Sequence, residues 1–207
     1  MPIPVEMHDQ EKWLPEFIFG TLRSSSNYDA NDTGTYCGRN GFGAKLTNIL
    51  STYFKVEIGD SIRQLRYEQI WTEGMKTKSA PSIEPYKKKE SYVEITYLLD
   101  FEYFKYPEYP DEAFGMFAQH LLNVGLIHKI PVIFNGIKFK CQNIRDYCKI
   151  MFGDDAVKES VVHYEWPNGT DLVERNGTKV AKSKTAKPII EMCVLDTPDE
   201  GRHISFV

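Results

Sequence analysis

Apolar side chains recur at helical spacing in two stretches of the N-terminal half of the chain. The first set predicts a short helix over 13–22, with a shared face made of Leu14, Phe17, Ile18 and Leu22. The second set predicts a helix over about 43–53, with a face made of Leu46, Ile49, Leu50 and Phe54. Between them, residues 23–37 are rich in Ser, Asn, Asp and Gly, which indicates a long loop.

Most of the remaining pattern alternates between apolar and polar positions, as β-strands do. An Asn135-Gly136 pair between two short apolar arms predicts a hairpin over 131–140. Helices are predicted over 110–126 and 144–153, and strands at 54–60, 63–74, 91–100, 160–166, 187–196 and 203–207. Helices and strands are mixed without a regular βαβ alternation, which indicates an α+β fold.

Composition and charge exclude several classes of protein. The chain has 207 residues, 42% of them hydrophobic, which is ordinary for a globular protein of one or two domains. A net charge of -4 provides no overall basic field for nucleic acid. No apolar run approaches the roughly 18 residues of a membrane span, so no membrane contact is predicted. The cysteines form no CxxC pair and the histidines no spaced cluster, so no metal site is predicted.

The stretch GRNGFGAKLTNI, from Gly38 to Ile49, places three glycines at GxxGxG spacing directly before a predicted helix. Glycines let backbone N–H groups approach a ligand closely, and a helix N-terminus adds unpaired donors and partial positive charge. Lys45 adds a full charge, which is unfavourable against the helix dipole unless an anion is bound. The pattern therefore indicates a site for an anion, most often phosphate.

The glycine spacing is weak by itself, because ordinary glycine turns also produce it. A P-loop requires GxxxxGK[ST], but here Ala44 separates Gly43 from Lys45, and Leu46 occupies the hydroxyl position. A dinucleotide site requires GxGxxG after a strand, and here the order is reversed after a polar loop. Neither motif is therefore present.

The longer stretches IPVEMH, PEFIFGTLRSSSNYD and GRNGFGAKLTNILSTYFKVE, together with ISFV near the C-terminus, closely resemble the ATPase region of eukaryotic-type (type IIA) DNA topoisomerase II. That family belongs to the superfamily of gyrase, heat-shock chaperones, mismatch-repair ATPases and histidine kinases. The resemblance covers essentially the whole chain, more loosely between about 60 and 130. It implies an incomplete Bergerat-type ATPase sandwich, a mixed sheet with helices on one face, followed by the start of a transducer subdomain.

The resemblance implies ATP and Mg²⁺ as cofactors and assigns two groups of ATP-binding residues. The first group would contact the ribose and phosphates: Ser25, Ser26 and Asn27. The second would form the lid around the triphosphate: Gly38, Arg39, Asn40, Gly41, Phe42, Gly43, Ala44 and Lys45. A composition shift near 153–159 places the domain boundary, so that 1–153 is a partial ATP-binding domain with the lid and 154–207 begins the transducer.

The chain also departs from the family pattern. Cys37 precedes Gly38 where the family usually has a second glycine. The family's general-base Glu, magnesium-holding Asn and adenine-reading motif lie upstream of the matched stretches, and its switch lysine lies downstream. The resemblance therefore assigns no catalytic and no metal-binding residue to this chain, and the magnesium ligand is expected upstream. The chain is expected to be part of a longer polypeptide and not catalytic alone.

Three hypotheses about function follow from these observations. The first is that the chain is the ATP-binding portion of a topoisomerase II that couples ATP binding and hydrolysis to DNA strand passage. Its expected partners are double-stranded DNA and a second copy of the parent enzyme. Its expected location is the nucleus in a cell, or the host cell or virion for a large DNA virus.

The second hypothesis is a non-catalytic nucleotide-binding or interaction module derived from a topoisomerase. The third hypothesis is another ATPase of the superfamily. It is disfavoured because the residues of the SSNYD and GRNGFGAKLTNI stretches resemble those of topoisomerase II.

Overall fold

The computed structural model describes residues 3–8, 11–25, 40–141 and 143–154, and the backbone of 162–167, 173–174 and 188–194. The helices are α1 (Leu14–Gly20), α2 (Gly43–Ile49), α3 (Phe101–Phe104), α4 (Asp111–His128) and α5 (Ile144–Phe152). The strands are β1 (Ser51–Asp60), β2 (Leu65–Thr72), β3 (Thr77–Lys78), β4 (Ser82–Pro85), β5 (Tyr92–Leu99), β6 (Val132–Phe134), β7 (Ile137–Phe139), β8 (Val162–Pro167), β9 (Val173–Glu174) and β10 (Pro188–Val194). The predicted α+β class is confirmed.

The first compact unit, residues 1–108, is organised around an antiparallel sheet. Its strand order is β3-β2-β1-β5, and β4 also pairs with β2. The pairing Phe54↔Trp71 and Val56↔Gln69 brings the alternating positions of β1 and β2 onto one face. These side chains are at most 1% exposed. That face forms the core, together with Val5 and Phe19 from the chain that precedes it.

Every strand pair in the described residues is antiparallel. The parallel pairing that a mixed sheet requires is not found within the ranges that the structure describes. The short connections from β1 to β2 and from β6 to β7 suit antiparallel neighbours, whereas parallel strands need a crossover of a dozen or more residues.

The N-terminal segment is held to the sheet by one buried carboxylate. Asp60, 1% exposed at the end of β1, accepts hydrogen bonds from the backbone N–H of Val5 at 3.0 Å and of Ile62 at 2.9 Å. It also accepts from the backbone N–H of Arg63 at 3.1 Å and from its guanidinium at 3.2 Å. Burial opposes the charge of Asp60, but the bonds from Val5, Arg63 and Ile62 outweigh it and lower the pKa of the carboxyl.

The predicted helix over 43–53 is wrong in its second half. Helix α2 ends at Ile49, and β1 begins at Ser51. Tyr53 pairs with Thr72 on β2 and Leu98 on β5, so these positions gain ladder hydrogen bonds on both sides. Phe54 falls at helical spacing from Leu50, but it is a strand residue. Its pairing with β2 and β5 outweighs the local periodicity. The short strands β3 and β4 were not predicted.

The second compact unit, residues 109–207, contains the predicted hairpin and two predicted helices. Asn135 and Gly136 both have left-handed backbone, with φ of 48° and 80°, as a two-residue hairpin turn requires. Asn143 caps α5 by accepting a hydrogen bond from the N–H of Asp146 at 2.9 Å, and α5 is followed by Gly153, as predicted. Strands β8 and β10 match the predicted strands, whereas the predicted strand at 203–207 lies outside the described residues.

The compact units divide after Glu108, whereas the sequence places the domain boundary at 153/154. Helix α4 contacts β6 and α5, and α5 contacts β10, so these elements group with the later strands. A shift in composition did not reveal this grouping, because α5 packs on β10, which is distant in sequence. The functional assignment of 1–153 and 154–207 stays a prediction.

Gly59 is expected to tolerate no side chain. A Cβ there would lie 2.4 Å from Cε1 of Tyr92 and 2.6 Å from Cζ of Tyr86. We expect Gly59→Ala to lower the free energy of unfolding by about 1–3 kcal/mol through overpacking. Urea titration followed by circular dichroism measures this, with Gly115→Ala as the control because nothing lies within 4 Å of its added Cβ. A Gly59→Ala protein as stable as the wild type would contradict the expectation.

Candidate nucleotide-binding site

Gly41 brings the two predicted ATP-binding segments together. Its φ of 65° is left-handed, and a Cβ on it would lie 3.1 Å from the backbone N of Ser25 and 3.2 Å from the carbonyl carbon of Ser24. Only glycine combines this conformation with so close an approach. The loop before α2 therefore lies directly against the chain at Ser24 and Ser25.

Both segments are tied to the C-terminal end of α1. The hydroxyl of Ser24 donates to the carbonyl of Ile18 at 3.5 Å. The side-chain N–H of Asn48, on α2, donates to the carbonyl of Phe19 at 3.4 Å. The last carbonyls of a helix have no partner within it, so these side chains complete the end of α1. The end of α1 is thus the point on which both segments are aligned.

Lys45 is buried on α2 without a counter-charge. It is 3% exposed, and its ammonium makes no hydrogen bond or ion pair with any residue that the structure describes. Desolvation by burial lowers the pKa of Lys45 from its ordinary 10.5. Burying a charge is costly unless it is paired. An anionic ligand beside Lys45 would remove that cost, which makes Lys45 the best evidence for an anion site.

Helix α2 itself contributes less than the sequence suggested. It has seven residues, about two turns, and no side chain caps its first turn. The macrodipole of so short a helix is small, so the anion argument rests on Lys45 and on the backbone next to Gly41. A Cβ on Gly43 would meet nothing within 4 Å, so this glycine is not required by packing.

The structure describes seven of the predicted binding residues: Ser25, Asn40, Gly41, Phe42, Gly43, Ala44 and Lys45. It brings Ser25 against Gly41, and it buries Lys45. Ala44 packs against the core of the first unit. The other four lie outside the described residues: Ser26, Asn27, Gly38 and Arg39. The binding roles of all these residues stay predictions.

Sequence reasoning missed Ser24 and Asn48. Asn48 is 1% exposed and lies with Lys45 on the buried face of α2, whereas Leu46 of the predicted apolar face is 49% exposed. The helical periodicity gave no signal for Asn48, because it assigned the buried face to Leu46 and Ile49. Ser24 carried no signal, because it lies in a polar loop.

The described residues contain no group of three or more His, Cys, Asp or Glu side chains placed to hold a metal ion. Lys45, which has no partner among these residues, offers a charge that fits a phosphate. Among the same residues, no helix has the length and hydropathy needed to cross a bilayer.

Comparisons with known proteins agree on one family. The chain is 38% identical to DNA topoisomerase 2 of Arabidopsis thaliana over 99% of its length and 13% of that protein. It is 34% identical to DNA topoisomerase 2 of Invertebrate iridescent virus 6 over 91% of its length and 16% of that protein. The solved ATPase region of Saccharomyces cerevisiae topoisomerase II matches with a TM-score of 0.72 at 33% identity, over 84% of this chain and 46% of that one. No protein-family model matches the chain.

The fold and the sequence relatives thus place the chain in the class of type IIA topoisomerase ATPase regions. The chain belongs to the DNA topoisomerase II family and corresponds to part of its ATPase region. It spans only 13–16% of the two topoisomerases compared above.

Proposed function

We propose that this chain is the ATP-binding portion of a DNA topoisomerase II, which couples ATP binding and hydrolysis to the passage of one DNA duplex through another. The buried ammonium of Lys45 carries the proposal: it has no partner among the described residues, and it lies on the helix that directly follows the Gly41–Ser25 contact. The alternative, a non-catalytic module derived from a topoisomerase, is not favoured by the matches to ATPase regions.

Each part of the site has a task in this proposal. The close backbone approach at Gly41 lets main-chain N–H groups reach phosphate oxygens without an intervening side chain. The ammonium of Lys45 forms a charge-assisted pair with a phosphate, in a setting where burial strengthens the attraction. Ser25 lies on the opposite segment and contacts the ribose and phosphate side of the nucleotide. Ser26 and Asn27 extend that segment, and Gly38, Arg39 and Asn40 extend the lid.

The remaining elements of the function belong to the larger enzyme. Mg²⁺ would gather charge on the phosphates, with its ligand and the general base supplied from outside the described residues. The parent enzyme acts on double-stranded DNA as a homodimer, and residues from about 154 relay the nucleotide state. Its location is the nucleus in a cell, or the host cell or virion for a viral enzyme.

A pair of glycine variants tests the site in the natural full-length polypeptide. We expect Gly41→Ala to weaken Mg²⁺-ATP binding about tenfold or more, because the new methyl group must push Ser24 and Ser25 away from the loop. Gly136→Ala is the matched control. Gly136 also has a left-handed φ, of 80°, but an added Cβ there meets nothing within 4 Å. Both variants therefore carry similar backbone strain.

Equilibrium titration with a fluorescent ATP analogue measures the two affinities, and circular dichroism confirms folding. Weakened binding in Gly41→Ala with unchanged binding in Gly136→Ala supports the proposal. Equal affinities in both variants and in the wild type would show that the Gly41–Ser25 contact is not part of a nucleotide site. Weaker ATP binding in both variants would show a general effect of backbone strain and not a role of the Gly41–Ser25 contact.

A further inference from the structure

Asn48 has one satisfied and one unsatisfied side-chain atom in a fully buried position. Its Nδ2 donates to the carbonyl of Phe19, whereas its Oδ1 has no hydrogen-bond partner in the described part of the chain. An unpaired buried acceptor is a substantial cost, and native structures carry few of them. The bond from Nδ2 to Phe19 explains one half of this amide and leaves Oδ1 unexplained. The unused acceptor therefore calls for a functional explanation.

Lys45 lies three residues before Asn48 on the same helix. Side chains at this spacing are neighbours on one helix face, with Cβ atoms about 5–6 Å apart. Both residues are at least 97% buried, since their exposed fractions are 3% and 1%. The Lys45 ammonium is a donor without a partner among the described residues, and Asn48 Oδ1 is an acceptor without one. The two residues thus share the buried face of α2, one turn apart, and make no hydrogen bond to each other in this structure.

We propose that Asn48 is a positioning residue for Lys45: its Nδ2 fixes α2 against the end of α1, and its Oδ1 orients the Lys45 ammonium when a nucleotide is bound. The inference rests on the proposed nucleotide site and adds a residue to it. The Ser24 hydroxyl holds the neighbouring carbonyl of α1, that of Ile18. Asn48 therefore sets the distance between the lid and the segment that begins at Ser24.

The chain offers a matched control for the structural part of this role. Ser51 is 0% exposed, and its hydroxyl donates to the carbonyl of Thr47 at 2.6 Å. It secures the C-terminal end of α2, but that hydrogen bond makes no link to α1. Ser51→Ala and Asn48→Ala each remove a buried hydrogen bond from the same end of the helix. Only Asn48→Ala removes the link that positions Lys45.

The experiment compares Mg²⁺-ATP affinity in the natural full-length polypeptide at a temperature where circular dichroism shows each variant folded. We expect Asn48→Ala to weaken binding about tenfold, the loss that corresponds to one hydrogen bond of ordinary net strength. We expect Ser51→Ala to bind within about twofold of the wild type, a difference small against the 1.4 kcal/mol of a tenfold change. Equal losses in the two variants, or none in Asn48→Ala, would overturn the inference.

Asn48→Asp has almost the same shape and provides a second readout if the alanine variant does not fold. A carboxylate beside Lys45 stabilises its charged form, so the pH above which ATP binding weakens is expected to be higher than in the wild type. At neutral pH the variant is expected to bind ATP more weakly than the wild type, because the carboxylate repels the phosphates. An unchanged pH profile would contradict a link between the two side chains. If Lys45→Met binds ATP as tightly as the wild type, the proposed site itself fails, and the inference fails with it. If Lys45→Met is weakened and the Asn48 variants are not, only the inference fails.

Discussion

Replacing Asp60 with alanine is expected to lower the free energy of unfolding by about 3 kcal/mol, because backbone donors lose a buried charged acceptor. The substitution leaves the N–H groups of Val5, Ile62 and Arg63 without their acceptor. Val5 is 1% exposed, so its N–H cannot turn to water without moving the N-terminal segment out of the core. Urea unfolding followed by tryptophan fluorescence measures the change, because Trp71 lies in the same core cluster as Val5.

A control separates this network from an ordinary helix cap. Asp100 accepts one hydrogen bond, from the N–H of Tyr103 at 2.9 Å, at the exposed start of α3. Asp100→Ala is expected to cost about 1 kcal/mol, as for other N-caps. Similar costs for the two aspartates would show that the N-terminal segment does not depend on Asp60.

The same carboxylate predicts how stability varies with pH. The pKa of Asp60 is lowered in the folded protein, so its contribution is fully present above the unfolded value of about 3.9. That contribution is lost as the pH falls from there through the folded pKa. Asn at this position cannot ionise. The unfolding free energy of Asp60→Asn is therefore expected to decline less than that of the wild type between pH 5 and pH 3, a window around the unfolded pKa of Asp.

Replacing Lys45 with methionine is expected to change nucleotide affinity and stability in opposite directions. Losing a charge-assisted contact with phosphate is expected to weaken ATP binding about 10–100-fold, which corresponds to about 1.5–3 kcal/mol. Removing a buried, unpaired ammonium is expected to raise the free energy of unfolding without nucleotide by about 1–2 kcal/mol. Methionine suits this test because it fills a similar volume without charge.

Lys88→Met is the control for the lysine variant, because Lys88 is exposed on the connection before β5. Its stability is expected to stay within about 0.5 kcal/mol of the wild type and its ATP affinity unchanged. Titration with an ATP analogue and urea unfolding without nucleotide measure the two effects. A destabilised Lys45→Met protein would show that Lys45 is paired in the free state, and unchanged affinity would remove it from the site.

Lys45 also predicts a pH dependence of binding. Its pKa is lowered in the unliganded protein, and a bound phosphate would raise it again. ATP affinity should therefore be constant below the unliganded pKa and fall above it, with proton uptake on binding. In Lys45→Met this fall should disappear, which isothermal titration in buffers of different ionisation enthalpy can detect.

The sequence by itself determined the elements whose signals are local. Asn135-Gly136 predicted its hairpin because two consecutive left-handed residues suit that turn. Alternation predicted β2 and β5, since one face of each strand differs chemically from the other. The same local information predicted an anion site at Lys45, and the residues of the quoted motifs indicated the family.

Only the tertiary structure decided the features that depend on partners distant in sequence. The end of α2 at Ile49 follows from pairing of β1 with β2 and β5, which helical periodicity cannot reveal. The contact of Gly41 with Ser25 and the hydrogen bond of Asn48 to Phe19 join segments that the sequence separates. The burial of Lys45 without a counter-charge among the described residues is likewise a product of packing. Burial and pairing are properties of the packed chain, because they depend on which segments pack together.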